Sequence, residues 1–154
     1  MPDPAMLPGT LPPTPPPQGR YVPAVVHGGV AVSAGMTPRR DGQLVARGRV
    51  GHDVDVAQAH QLAGLAAQNA LSAIAAAAGG LDHVVRCLQL TVFLATAPDF
   101  AEHTSVADGA SATLVAMLGD RGHVARAAVG VASLPSGAPL EVVLTAAVDV
   151  DGLA

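Results

Sequence analysis

Apolar positions recur along the chain in two rhythms, and the rhythms predict its elements. "AVVHGGVAVSAG", residues 24–35, holds two short β-type runs around Gly28-Gly29, a hairpin pattern. "RDGQL" places another turn at Asp41-Gly42, and "RGRVGHDV" predicts a short edge strand. Asp53 or Asp55 then offers an N-cap for a long helix. Ala59, Leu62, Ala66, Ala70, Ile74 and Ala77 recur along it at three- and four-residue steps, and Gly79-Gly80 ends it. So alanine-rich a stripe lets the helix lie close to a sheet. "DHVVRCLQLTVFLAT" reads as a long buried strand. Thr96, Pro98 and Asp99 mark a second helix start, with Gly119 its stop after Leu118 and Asp108-Gly109 a weak point inside it. Two strands follow, 126–134 and 140–150, joined by the turn "PSGA". Strands, helix, strand, helix, strands is an α+β order, with two helices covering one face of a mixed sheet.

Alternation describes the other face. Val129 and Val131 point one way, while Ala128, Gly130 and Ala132 share the side of Arg126. Leu140, Val142, Leu144, Ala146 and Val148 share one face of the last strand; Glu141, Val143, Thr145 and Ala147 share the other. The side carrying the charges is thus small and fairly apolar. Two helices leave such a face uncovered, which predicts a homo-oligomer.

Composition narrows the chemistry. The chain has 154 residues, enough for one domain with a real core, and is 50% hydrophobic but only 2% aromatic. Its 13 prolines include eight within residues 1–18, so those form an extended or disordered lead-in and residues 19–154 the single domain. All 8 basic residues are arginines, which excludes Schiff-base lysine chemistry, lysine-anchored pyridoxal phosphate and a P-loop. The net charge of −4 and the scarcity of aromatics disfavour nucleic-acid binding. Lone Cys87 reads as a small buried hydrophobe. Residues 62–81 carry no charge, but they are mostly Ala and Gly with Gln68, Asn69 and Ser72, too weakly hydrophobic for a membrane span. Without a signal-peptide pattern, the expectation is a soluble cytoplasmic protein.

His27, His52, His60, His83, His103 and His123 form no metal-ligand spacing, so no metal site is expected. Ser33 and Ser111 lack the GxSxG elbow of serine hydrolases. Arg126, Glu141 and Tyr21 are what the chain leaves for chemistry. A guanidinium fork grips a carboxylate through two oxygens, and a nearby carboxylate moves a proton or orients water. The same pair reads equally well as an ion pair or a tie between subunits.

The segment "ARAAVGVASLPSGAPLEV" resembles the C-terminal signature of the RidA (YjgF, L-PSP endoribonuclease-like) family: Ala-Arg entering a strand, a Leu-Pro turn, and a Glu 15 positions after the Arg. "GRYVPAV", "VSAGMTP" and "LTVFLATAPDF" match other family segments in order, over roughly residues 17–150. "RVGHDV" and "AVGVASLP" are closer to a longer YjgF/chorismate-mutase-like branch. The resemblance implies a chorismate-mutase-like fold, a homotrimer with clefts between subunits, and no cofactor. It implies hydrolysis of reactive 2-imino or enamine acids to 2-oxo acids and ammonia, a small carboxylate-bearing metabolite being the partner. Carried over by position, Arg126 clamps the substrate carboxylate and Glu141 positions water, while Tyr21 and the backbone at Ala34 and Gly35 line the cleft. Ala34, Met36 and Ala128 stand where the family has Ser, Gln and Cys, and Arg20 and Val124 replace prolines. Those losses support an alternative, a non-catalytic trimer binding small carboxylic acids; the family label adds endoribonuclease activity as a third. Were the last two strands a tight hairpin, Arg126 would face Ala147, on the order of 20 Å from Glu141. The two charges then share a cleft only across a subunit boundary, or if those strands are not neighbours.

Overall fold

The computed structural model describes residues 10–149. Two strands, β1 (Ala24–His27) and β2 (Val30–Ser33), form the hairpin expected around Gly28-Gly29, both of which take positive φ. A small second sheet pairs β3 (Arg39–Arg40) with β4 (Gln43–Leu44) across Asp41-Gly42. The segment around Val50 is no strand. Val50 makes only isolated bridges, to Val54 and Thr96, which tie the loop before the first helix to the loop after β5 (Val84–Ala95).

Helix α1 (Val56–Ala78) starts where Asp55 Oδ1 accepts the Gln58 amide at 2.8 Å and ends at left-handed Gly79 (φ 94°). Its uncharged middle is buried nearly all round, for three different reasons. One side lies on the sheet. A second meets α2 (His103–Leu118), where Gly64 and Gly109 let the helices close: a Cβ on Gly109 would strike the backbone of His60. The third is covered by the proline-rich segment, through Ser72 Oγ donating to Pro12 O (2.6 Å) and a Thr14–Ser72 hydroxyl contact (3.2 Å). A helix apolar on every side belongs in a protein interior as readily as in a membrane. No described helix is long and apolar enough to cross one.

The α2 start differs from expectation. Pro98 and Asp99 lie in a loop, because Ala97 N still donates to Val50 O (2.9 Å) and holds the chain extended. The helix begins at His103 and runs unbroken through Asp108-Gly109, where the glycine serves close packing.

The main sheet has the order β1-β2-β7-β5-β6, with β6 (Ala125–Val131) parallel to β5 and the other pairs antiparallel. The last strand, β7 (Leu140–Val148), does not form a hairpin with β6, since β5 lies between them. The helices cover one face, where Leu90, Val92, Leu94, Leu140, Val142, Leu144 and Ala146 are fully buried. The open face is rich in valine: Val25, Val30, Val32 and Val129 are exposed there beside Val143, Thr145 and Ala147, with His27, Gln89, Thr91 and Glu141 among them.

Candidate functional site

Glu141 stands on the open face beside Phe93, opposite in register on β5. Residues before β3 run alongside it, because Met36 and Val142 exchange both backbone hydrogen bonds (2.8 and 2.9 Å). That pairing lays Gly35 over the glutamate side chain, and any Cβ there would collide with its carboxyl. Glycine is required at this spot for space. Burial raises the Glu141 pKa above its ordinary value. Its carboxylate has no hydrogen-bond or ion-pair partner among the described residues.

A cavity of about 380 Å³ opens over this carboxylate, lined by Tyr21, Ala34, Gly35, Thr37, Arg39 and Ser136 among others. That volume falls in the range of small-molecule sites. The Tyr21 hydroxyl accepts the Gln18 amide at 3.0 Å, so its own proton is free for another acceptor. Tyr21, Ala34, Gly35 and Glu141, expected to line one cleft, therefore meet in a single chain. Thr37 and Arg39 join them unforeseen. Arg39 sits in a stretch legible only as a turn, and its one local signal is its place next to Pro38, three residues from Gly42.

Arg126 lies elsewhere. It pairs in register with Leu90, so its side chain points to the helix face, and the expectation that both charges share the uncovered side is corrected. The reason is the strand order: the register that aims Arg126 is set by β5, not by β7. Its Nη1 donates to Asp108 Oδ1 (2.8 Å) and Ser111 Oγ (2.9 Å) on α2, and 19% of the side chain is exposed. Nε and Nη2 make no hydrogen bond with described residues, leaving one edge of the fork for a ligand. With β5 between their strands and three residues of offset along it, Arg126 and Glu141 have Cα atoms roughly 14 Å apart, on opposite faces. Within one chain they do not share a cleft.

Other reactive side chains are occupied structurally. Ser33 is buried and its hydroxyl accepts the Leu144 amide at 3.0 Å. Cys87 is fully buried, and burial pushes its thiol up to about 11, far from a reactive thiolate. His60 bonds the Ser105 carbonyl at 2.8 Å, and His52 pairs with Asp53 at 3.0 Å. Among the described residues no group of three or more His, Cys, Asp or Glu could hold a metal ion.

A two-helix layer on a mixed sheet, with a small cleft at a strand end, defines an α+β protein. The family model for endoribonuclease L-PSP matches residues 13–148, and the chain belongs to that family, the YjgF/L-PSP family. A curated relative, Protein TCP17 of Trypanosoma cruzi, is 37% identical over 133 residues, 86% of this chain and 83% of that protein. Among solved structures, protein Atu1372 of Agrobacterium tumefaciens, of unknown function, is 39% identical with a TM-score of 0.83, covering 91% of this chain and 85% of its own. A candidate endoribonuclease of Shewanella oneidensis is 27% identical with a TM-score of 0.86, covering 90% and 91%.

Proposed function

We propose that the chain assembles as a homotrimer and hydrolyses 2-imino acids to 2-oxo acids and ammonia in clefts between subunits, needing no cofactor. The observation that carries this reading is the Glu141 cleft, a carboxylate made more basic by burial and left without a partner. Arg126 of a neighbouring copy supplies the carboxylate clamp, since it stands on an edge strand with one edge of its fork unbonded. Glu141 takes a proton from water as the oxygen attacks C2 of the iminium acid, giving a tetrahedral carbinolamine. The same proton then passes to nitrogen, Glu141 takes the carbinolamine hydroxyl proton as the C–N bond breaks, and the 2-oxo acid is left with ammonia, which carries that proton away. Tyr21 donates a hydrogen bond inside the cleft. The valine-rich open face supports the assembly, because exposed valines on a sheet are expected to be covered by further copies.

The test couples an amino-acid oxidase, which generates imino acids in place, to semicarbazide trapping of what the protein fails to hydrolyse. Glu141→Gln is expected to lower turnover by ~10²–10⁴-fold, the usual contribution of a general base. Full activity in that variant, or none in the wild type, overturns the reading. Ala34, Met36 and Ala128 favour a second reading, a trimer that binds small carboxylic acids without turning them over. Calorimetric binding of 2-oxobutyrate without any deaminase activity would establish it. RNA cleavage has only relatives' descriptions behind it, and a chain of net charge −4 with one Tyr and two Phe offers little to stack or neutralise RNA.

A further inference from the structure

The cleft contains a second cation that the reading above leaves unused. Arg39 is partly buried at the start of β3, and its backbone is pinned from below: Asn69, 1% exposed on α1, donates to the carbonyls of Thr37 (3.2 Å) and Arg39 (3.0 Å). The guanidinium is fixed as well. Nε donates to Thr37 Oγ1 (3.2 Å) and Nη1 to Gly42 O (2.9 Å), so two neutral acceptors set its plane. Nη2 has no partner among the described residues, and no carboxylate pairs with this arginine there. A partly buried guanidinium held by neutral groups and lacking a counter-ion is a ready site for an anion.

Its position says which anion. Arg39 and Glu141 line the same cavity and form no ion pair, so the two charges face one space without touching. Arg39 also borders a larger, mostly apolar cavity of about 530 Å³ beneath the proline-rich segment, so it stands in the wall between the two cavities.

We propose that Arg39 is a specificity-determining residue that holds a second acidic group, so that the preferred ligands are dicarboxylic imino or 2-oxo acids, those derived from acidic amino acids. The proposal rests on the reading that Arg126 of a neighbouring copy takes the first carboxylate.

Calorimetric titration of the full-length protein with 2-oxobutyrate and with 2-oxoglutarate tests it, in wild type, Arg39→Gln and Arg39→Lys. The wild type is expected to bind 2-oxoglutarate ~10-fold more tightly, the scale of one charge-assisted contact. That ratio falls to about one in Arg39→Gln and is partly restored in Arg39→Lys, with far-UV circular dichroism confirming that each variant is folded. Equal wild-type affinity for the two acids, or a preference that survives in Arg39→Gln, overturns the proposal while the deaminase reading stands. Equal loss of both ligands in folded Arg39→Gln overturns it too, by making Arg39 a general anchor. If neither acid binds the wild type, the proposal fails together with the reading beneath it.

Discussion

A half-buried carboxylate without a partner leaves a signature in stability as well as in rate. Burial raises the Glu141 pKa, so the folded chain holds that proton more tightly than the unfolded chain. Below the unfolded value, near 4.5, the group is protonated in both states and costs nothing electrostatically. As pH rises through the folded pKa the charge becomes a burden on the folded state alone. Glu141→Gln is therefore expected to raise Tm at neutral pH, the gain shrinking as pH falls through the carboxylate range; thermal melts from pH 3 to 8 would check it. The same shift bears on rate, because only the deprotonated form accepts a proton from water. The acid limb of kcat/KM is expected above the ordinary glutamate range. Gly35→Ala tests the geometry independently. Its methyl collides with the Glu141 carboxyl, so imine hydrolysis should drop more than tenfold while far-UV circular dichroism keeps the wild-type shape. A Gly35→Ala enzyme of full activity would show that the carboxyl need not lie where the cleft holds it.

Between helices the decisive residue is small. Gly109 meets the backbone of His60, which cannot swing aside as a side chain could. Gly109→Ala is expected to cost about 1–3 kcal/mol by overpacking, measured by chemical denaturation. An unchanged midpoint would mean that α1 and α2 can part without penalty. From the bare sequence this glycine looks like a weakness in α2, since glycine lowers helix propensity and nothing local reveals a partner helix. The contrast with α1 is instructive. Asp55 and Gly79 mark its ends legibly because capping is settled within a few residues. Pro98-Asp99 imitates the same signal and misleads, because a bridge from Val50, far away in sequence, keeps that stretch extended. Strand faces behaved likewise. Alternation sorted β7 correctly residue by residue, yet it could not show that β5 separates β6 from β7, and so it put Arg126 on the wrong face. Glu141, Tyr21 and Gly35 were legible from family spacing, whereas Arg39 depends on a fold-back of the β3–β4 turn that no spacing records.

For the whole molecule, the separation of Arg126 from Glu141 becomes a prediction about assembly. The two lie on opposite faces of one sheet, so a cleft using both must draw them from different copies. In the proposed trimer that contact is heterologous, the edge of one chain meeting the open face of the next, and it closes into a ring when its rotation returns to the first copy. The valines of the open face are its natural cement, and Val32→Asp is expected to yield monomers by light scattering. Subunit mixing then tests the shared cleft directly. Arg126→Ala and Glu141→Gln should each be inactive as pure proteins. Unfolded together in equal amounts and refolded, they form mixed rings in which about a quarter of the clefts take Arg126 from one variant and Glu141 from the other. Activity should return to roughly that fraction of wild type. Were both residues supplied by the same chain, no mixture could restore it. A silent mixture of correctly sized, folded rings would therefore overturn the cleft shared between copies.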